Sequence, residues 1–227
     1  VVSLITEGSS TDDQGRPFRR RRAWPVIAVF AVLALIGSGL WIRILSADAK
    51  VSDTVACNLP QASSDPAAAA PLPLGTVVDR STLLDVGPAP LSATKVRVFN
   101  ANGEHGQAAQ VAAQLSEYGF ASAPDVQVGN DPVYVDQNMQ CQGQIRFGKN
   151  GLAAASSVWL VAPCAELVED SRQDDTVDLA LGTYAPASIT PKTDAAEILR
   201  ALAAQPANAQ AAPVDGGLLK AARTARC

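Results

Sequence analysis

Apolar and polar positions change period several times along the chain, and each change marks an element. Ala23–Ile42 is a run of twenty residues without a charge, long enough as a helix rising about 1.5 Å per residue to cross a hydrocarbon core of about 30 Å. Lys95-Val96-Arg97-Val98-Phe99 alternates polar and apolar as a half-buried strand does, and Asn100-Ala101-Asn102-Gly103 has turn chemistry. From Glu104 to Tyr118, Ala108, Val111, Ala112, Leu115 and Tyr118 follow helical spacing. Gly119 supplies the stop, and Phe120-Ala121 resumes extended chain toward Val126 and Val128. This predicts a strand–helix–strand unit.

A second unit follows the loop at Gly129–Pro132. Gln144-Ile145-Arg146-Phe147 alternates again, Gly148–Gly151 turns, and Leu152–Ser156 is a short helix. Ser157-Val158-Trp159-Leu160-Val161, the most apolar run after residue 42, reads as a central strand ended by Pro163. Ala165–Ser171 then reads as a helix, Thr176–Leu181 as a strand, and Thr193–Ala204 as a helix capped by Thr193 or Asp194. Val51–Ala93 holds six of the fifteen prolines and the low-complexity run Asp65–Ala70, the composition of an extended stalk. Its apolar patches Leu72–Val78 and Leu83–Val86 either dock on the domain as an edge strand or loop or stay in the stalk. Beyond Gln205 the chain is rich in Ala, Pro and Gly and reads as a mobile tail held by Cys227. The expected order is an N-terminal tail at 1–22, a transmembrane helix at 23–42, a stalk at 43–93, an α/β domain at 94–204 and a tail at 205–227.

Charge orients this arrangement. Arg16, Arg19, Arg20, Arg21 and Arg22 precede the apolar run, Arg43 closes it, and Trp24 and Trp41 stand at its ends. Basic residues on the first side place the N-terminus in the cytoplasm, and indole rings favour the headgroup region. The expectation is a single-pass plasma-membrane protein with an extracytoplasmic C-terminal domain. Ala47-Asp48-Ala49 offers the competing reading of a cleaved signal peptide, but a secretory apolar region is usually about 7–15 residues long. Thr54-Val55-Ala56-Cys57 is a poor lipoprotein box, because Thr54 replaces the expected Leu and the polar stretch Arg43–Asp53 separates it from the apolar run. Residues up to Arg22 carry five basic and three acidic groups; from Arg43 onward thirteen basic face nineteen acidic. The exported part is therefore acidic, which excludes nucleic acid as a partner by bulk charge and requires a specific site for any wall polymer.

Cys57, Cys141, Cys164 and Cys227 all follow the apolar run. An even number in an oxidising compartment reads as disulfides, with three pairings open. Cys141–Cys164 within the domain and Cys57–Cys227 joining the leading segment to the tail are expected from their comparable places in the architecture. The fold class expected is α/β, βαβ-type units around a mixed sheet, disulfide-linked.

Chemistry is sparse. One histidine, His105, excludes a multi-histidine metal site, no Gly-x-Ser-x-Gly elbow accompanies it, and no cofactor motif is present. The densest polar turn is Asn100, Asn102, Gly103, His105 and Gly106. Its carboxamides and backbone N–H groups suit a sugar hydroxyl, an acetamido group or a carboxylate, and the same residue types are what a tight turn and a helix cap need. Asp174-Asp175-Thr176-Val177-Asp178 spells D-D-x-x-D, a metal-binding pattern on a helix, but Val177, Leu179 and Leu181 alternate as a strand and spoil that geometry, so no metal is expected. Arg97 and Arg146 share one polar sheet face, suited to a carboxylate or phosphate or to pairing with Asp or Glu.

Val96-Arg97-Val98-Phe99-Asn100-Ala101-Asn102-Gly103, then Gly106-Gln107-Ala108 and Leu115-Ser116-Glu117-Tyr118-Gly119-Phe120, resembles the LytR C-terminal domain family over about Thr94–Gly182. Cys141–Gly148 and the arginine-flanked anchor add to the resemblance, which is to actinobacterial envelope proteins. It implies an envelope-located α/β module of the kind often appended to LytR-CpsA-Psr phosphotransferases, although there is no room for that catalytic domain between the stalk and the module. The expectation is a non-catalytic protein maintaining envelope integrity by binding cell-wall glycan or a LytR-CpsA-Psr-type wall-assembly enzyme. The alternative is a wall-polymer transferase or hydrolase acting through Asp174, Asp175 and Asp178 or through His105.

Overall fold

Twenty-four residues from Trp24 to Ala47 form helix α1, on which Trp24, Phe30 and Trp41 are exposed. The computed structural model describes residues 14, 24–47, 56–66, 70–209 and 214–224, and the chain divides into two units, Val1–Lys50 and Val51–Cys227. Among the described residues no helix is long and apolar enough to cross a membrane. Of the expected span at 23–42, residue 23 and the side chains of residues 40 and 42 lie outside the described part.

The second unit runs β1 (Thr76–Val78), α2 (Ser81–Leu84), β2 (Lys95–Asn100), α3 (Gln107–Tyr118), β3 (Ala121–Ser122), β4 (Val128–Asn130), β5 (Gly143–Phe147), α4 (Leu152–Trp159), β6 (Glu166–Glu169), β7 (Val177–Leu181), α5 (Thr193–Ala203) and α6 (Gly216–Arg223). The strands make one mixed sheet in the order β1-β6-β5-β7-β2, with β3 and β4 both along the outer edge of β2. β2 is parallel to β3, β4 and β7, whereas β5 is parallel to β6 and antiparallel to β7. The two parallel crossovers, β2-α3-β3/β4 and β5-α4-β6, are the two βαβ-type units.

Period two divides each strand between two layers. Val96, Val98, Ile145, Phe147, Leu167, Val177, Leu179 and Leu181 face the helices and form the main core with Ala108, Val111 and Leu115 of α3 and Ile198, Leu199 and Leu202 of α5. The opposite face carries Arg97, Phe99, Gln144, Arg146, Asp178 and Ala180. It is covered by residues 131–141 and by the stretch containing Cys57 and Leu74, with Phe99, Val133, Tyr134, Met139 and Cys141 as a second apolar cluster. All five residues of β5 and of β7 are buried. The half-buried strand expected at Gln144–Phe147 is therefore a central strand covered on both sides.

The stretch read as a stalk is in large part this second cover. β1 pairs antiparallel with β6 as an edge strand, Leu72 N donates to Pro132 O at 2.9 Å, and the Tyr134 hydroxyl donates to Asn58 O. Cys57 is bonded to Cys141, which corrects both expected pairings; Cys164 is disulfide-bonded as well, and Cys227 lies outside the described residues. Equivalence of place along the chain was the wrong criterion, because the leading segment lies across the sheet beside the loop that carries Cys141.

Three element assignments also change. Ser157–Val161 is the end of α4 and a turn, not a central strand: Ala154–Trp159 are buried all round, and a helix buried on every side shows no polar stripe to read. Ser156 Oγ and Ser157 Oγ donate to Val86 O and Ala89 O, both at 2.8 Å, so even the polar positions of α4 face protein. Ala165–Ser171 contains strand β6 in place of a helix, since Glu166–Glu169 pair with Gln144–Phe147. α5 begins at Thr193 as expected, but Lys192 holds the capping position without a side-chain cap.

The tail is ordered over α6, capped by Asp215 accepting from Leu218 N. Arg223, only 4% exposed, donates to Leu84 O at 2.5 Å and Val86 O at 2.9 Å and lies over the Trp159 ring, 5.1 Å from its centroid. Burial without a carboxylate bonded to it pulls the Arg223 pKa down to about 10. Arginine stacking on tryptophan and filling a ring of carbonyls holds α6 to α2 and α4.

The Cys57–Cys141 bond closes a loop of 84 residues. Cys57→Ser in residues 51–227 should lower the unfolding free energy by about 2–4 kcal/mol in urea titrations, and mass mapping of the unreduced protein should recover Cys57 joined to Cys141.

Candidate ligand-binding site

β2 and β7 run parallel, and at their carboxyl ends the chain leaves the sheet in different directions, into α3 from β2 and into residues 182–192 from β7. Crevices at carboxyl strand ends are where open α/β sheets bind ligands. Here Asn102, Glu104, His105, Gly106, Gln107, Gln110 and Thr183 line an open concavity of about 560 Å³.

The turn that the sequence singles out divides between framework and wall. Asn100, 9% exposed, accepts from Ala108 N at 3.0 Å and so satisfies an N–H of the first turn of α3. Asn102 Oδ1 accepts from Glu104 N at 2.9 Å, while its Nδ2 donates to Gln107 Oε1 at 2.6 Å and Gly182 O at 2.8 Å. Gly103 and Gly106 have φ of 75° and 81°, the left-handed region that favours glycine. The carboxamides of Asn100 and Asn102 thus serve the turn. His105 is exposed, and its Nδ1 lies 3.0 Å from Gly103 O; a carbonyl only accepts, so Nδ1 carries the hydrogen and Nε2 of the neutral ring is an acceptor.

Sequence reasoning missed Gln107, Gln110 and Thr183. The available signal was the polar stripe Gln107, Gln110, Gln114 at helical spacing on α3, opposite the buried Ala108, Val111, Ala112 and Leu115. Gln107 Nε2 donates to Ala185 O at 3.4 Å, and Gln114 Oε1 accepts from Ile189 N at 2.7 Å. These two glutamines tie α3 to both ends of residues 185–189.

Arg97 and Arg146 do share a sheet face, since each stands opposite Asp178 in register, but it is not the face of the concavity. Arg97 Nε donates to Asp178 Oδ1 at 2.6 Å, and its Nη1 reaches Asp125 at 3.0 Å. Arg146 bonds Asp131 at 2.8 Å, with side-chain exposures of 3% and 0%. Both guanidiniums are spent on internal carboxylates. The acidic run is spent too: Asp178 also accepts from Arg172 at 2.6 Å, Asp175 pairs with Lys95 at 3.0 Å, and Asp174 accepts from Thr176 N and Oγ1. Among the described residues no group of three or more His, Cys, Asp or Glu is placed to hold a metal ion.

Residues 93–184, β2 through β7, match the family model LytR_C, "LytR cell envelope-related transcriptional attenuator". Over 183 residues the chain is 49% identical to the cell envelope integrity protein Cei of Mycobacterium tuberculosis, covering 81% of this chain and 82% of that protein. The chain belongs to the LytR_C family. A crystal structure of the soluble domain of a conserved hypothetical secreted protein from Mycobacterium marinum aligns with 68% of this chain and 99% of its own, at 45% identity and a TM-score of 0.59. The relative's name and the LytR_C match support an envelope-related role for this chain.

Two outcomes follow from the geometry. Asn100→Ala leaves a buried N–H without its acceptor and should cost about 1–2 kcal/mol, whereas His105→Ala and Gln110→Ala should stay within about 0.5 kcal/mol by the same urea titration. The Asp174 carboxyl is held below its ordinary 3.8 by the side-chain and then the backbone hydrogen bond of Thr176. Its contribution to stability is therefore in place above pH 3.8 and is lost as pH falls through the lowered folded value. Thr176→Val should move the Asp174 pKa up toward 3.8 in a carbon-detected NMR titration.

Proposed function

We propose that the chain is a membrane-anchored, extracytoplasmic, non-catalytic component of envelope maintenance that binds an uncharged stretch of cell-wall glycan in the concavity at the start of α3. The observation that carries the reading is the 49% identity over 81% of the chain to a protein named for cell envelope integrity. The anchor is supported by the uncharged run 23–42 behind five arginines. An acceptor at His105 Nε2 and a carboxamide at Gln110 beside Thr183 offer neutral donors and acceptors of the kind sugar hydroxyls take up. Net acidity from Arg43 onward argues against attraction to anionic wall polymer by charge alone.

Residues 51–227 carry the whole sheet and its helices, and a soluble domain of the Mycobacterium marinum relative aligns with 68% of this chain. This part should co-sediment saturably with purified insoluble peptidoglycan or with intact wall core. The double variant His105→Ala/Gln110→Ala, whose side chains line the concavity without holding the turn, should weaken that binding at least tenfold. Absence of saturable sedimentation with either material overturns the glycan reading and directs crosslinking in cells toward a protein partner.

A further inference from the structure

Interiors of folded domains are packed to crystal-like density, with few voids larger than a water molecule. The helix side of this sheet departs from that. Leu179 and Leu181 of β7, Val111 of α3, Val161, Ala165 and Ile189 line a cavity of about 410 Å³. It lies where the helical layer is incomplete: Val111 of α3 and residues 161–165 after α4 flank it, and residues 185–190 form a strap across it. Gln107 and Gln114 hold the strap at its two ends through Ala185 O and Ile189 N, while Ala187 and Ser188 between them are exposed.

Wall chemistry defines what fits. Among the described residues no Asp, Glu, Lys, Arg or His lines the cavity, and the side-chain polar groups there are Gln142, Ser188, Thr190 and the disulfide-bonded sulfur of Cys164. Ser188 and Thr190 are exposed, so their hydroxyls mark the solvent side and the aliphatic side chains mark the interior. The volume is that of a ligand site, and apolar walls with a few polar groups at one end are its ordinary composition. A charged or polyhydroxylated ligand would lose its hydration there with nothing to replace it.

We propose that this cavity is a second binding site, distinct from the polar concavity, and that it takes a single aliphatic hydrocarbon chain bearing an uncharged polar end group. The chain lies along Val111, Leu179 and Leu181, and the end group meets Ser188 and Thr190. The proposal does not depend on glycan binding.

Methyl-labelled residues 51–227 titrated with a series of primary alcohols, from 1-butanol to 1-decanol, test it. Saturable shifts are expected at the methyl groups of Val111, Leu179, Leu181 and Ile189, with affinity rising about fourfold per added methylene, the increment for burying one CH₂. Ala162→Phe and Ala187→Phe, each placing a ring on the cavity wall, should weaken 1-decanol binding at least tenfold while the remaining methyl spectrum stays dispersed. Either variant suffices if the other fails to fold. Shifts confined to other surfaces, equal affinity of a folded variant and the parent, or no saturation with any alcohol overturns the assignment.

Discussion

Strands β5 and β7 are buried along their whole length on both faces, and that constraint obliges the rest of the unit to supply two covers. On one side the demand is apolar and the helices meet it. On the other, β5 brings Arg146 and β7 brings Asp178, and a charge taken from water without partners costs several kcal/mol. The structure answers with a closed set of bonds. Asp131 accepts from Arg146 Nη1 at 2.8 Å and from the backbone N–H groups of Val133 and Tyr134 at 2.8 and 2.7 Å. Arg146 Nε and Nη2 both reach Gln144 Oε1, and the guanidinium lies over the Tyr134 ring. Such a cluster adds little net stability over an apolar equivalent. Its effect is on register: a slip of β5 by one residue would turn Arg146 into the aliphatic layer against α4.

The second cover also explains where the folding unit ends. The LytR_C match stops at residues 93 and 184, yet the sheet's far edge is β1, the cover over Arg146 includes Cys57 and Asn58, and the helical layer needs α5 and α6. Asn58 alone accepts from Gln140 N at 2.6 Å and donates to Asn138 O at 3.2 Å, which ties the leading segment to the loop that carries Asp131. The match to the envelope integrity relative, over 81% of the chain, likewise extends well beyond the family core.

Elements covered on one face were legible in the sequence because water leaves its mark on the other. β2 with Lys95 and Arg97, α3 ended by Gly119, and α5 with Ile198 and Leu199 all show their period. Among elements covered all round, β5 and β7 still showed as strands because Arg146 and Asp178 alternate with apolar residues, whereas the end of α4 carries Ala, Ser, Val and Trp on every side, and β6 is four residues with glutamates at both ends. The turn at Asn100–Gly106 was found because Asn and Gly mark it, and the same residues then proved to be spent on its own hydrogen bonds. What lines the concavity there, Gln107, Gln110 and Thr183, carries at most the signal of a polar helix stripe, which reads the same whether it meets water or ligand. Cysteine pairing was beyond reach because it depends on the path of a proline-rich segment across the sheet, which no local pattern encodes.

Both openings of ligand size at this end of the sheet adjoin one strap. Ala185 and Ala187 lie on the wall of the polar concavity and on that of the apolar cavity. Helices and strands must bury their apolar faces and close their hydrogen bonds, which leaves little room for a cavity within them. A strap fixed at its ends by Gln107 and Gln114, with Ala187 and Ser188 exposed between them, escapes that demand. α3 serves both requirements at once: its apolar stripe of Ala108, Val111, Ala112 and Leu115 closes on the sheet, and its glutamine stripe holds the strap away from the sheet. The spacing of one helix thus sets the depth of both openings.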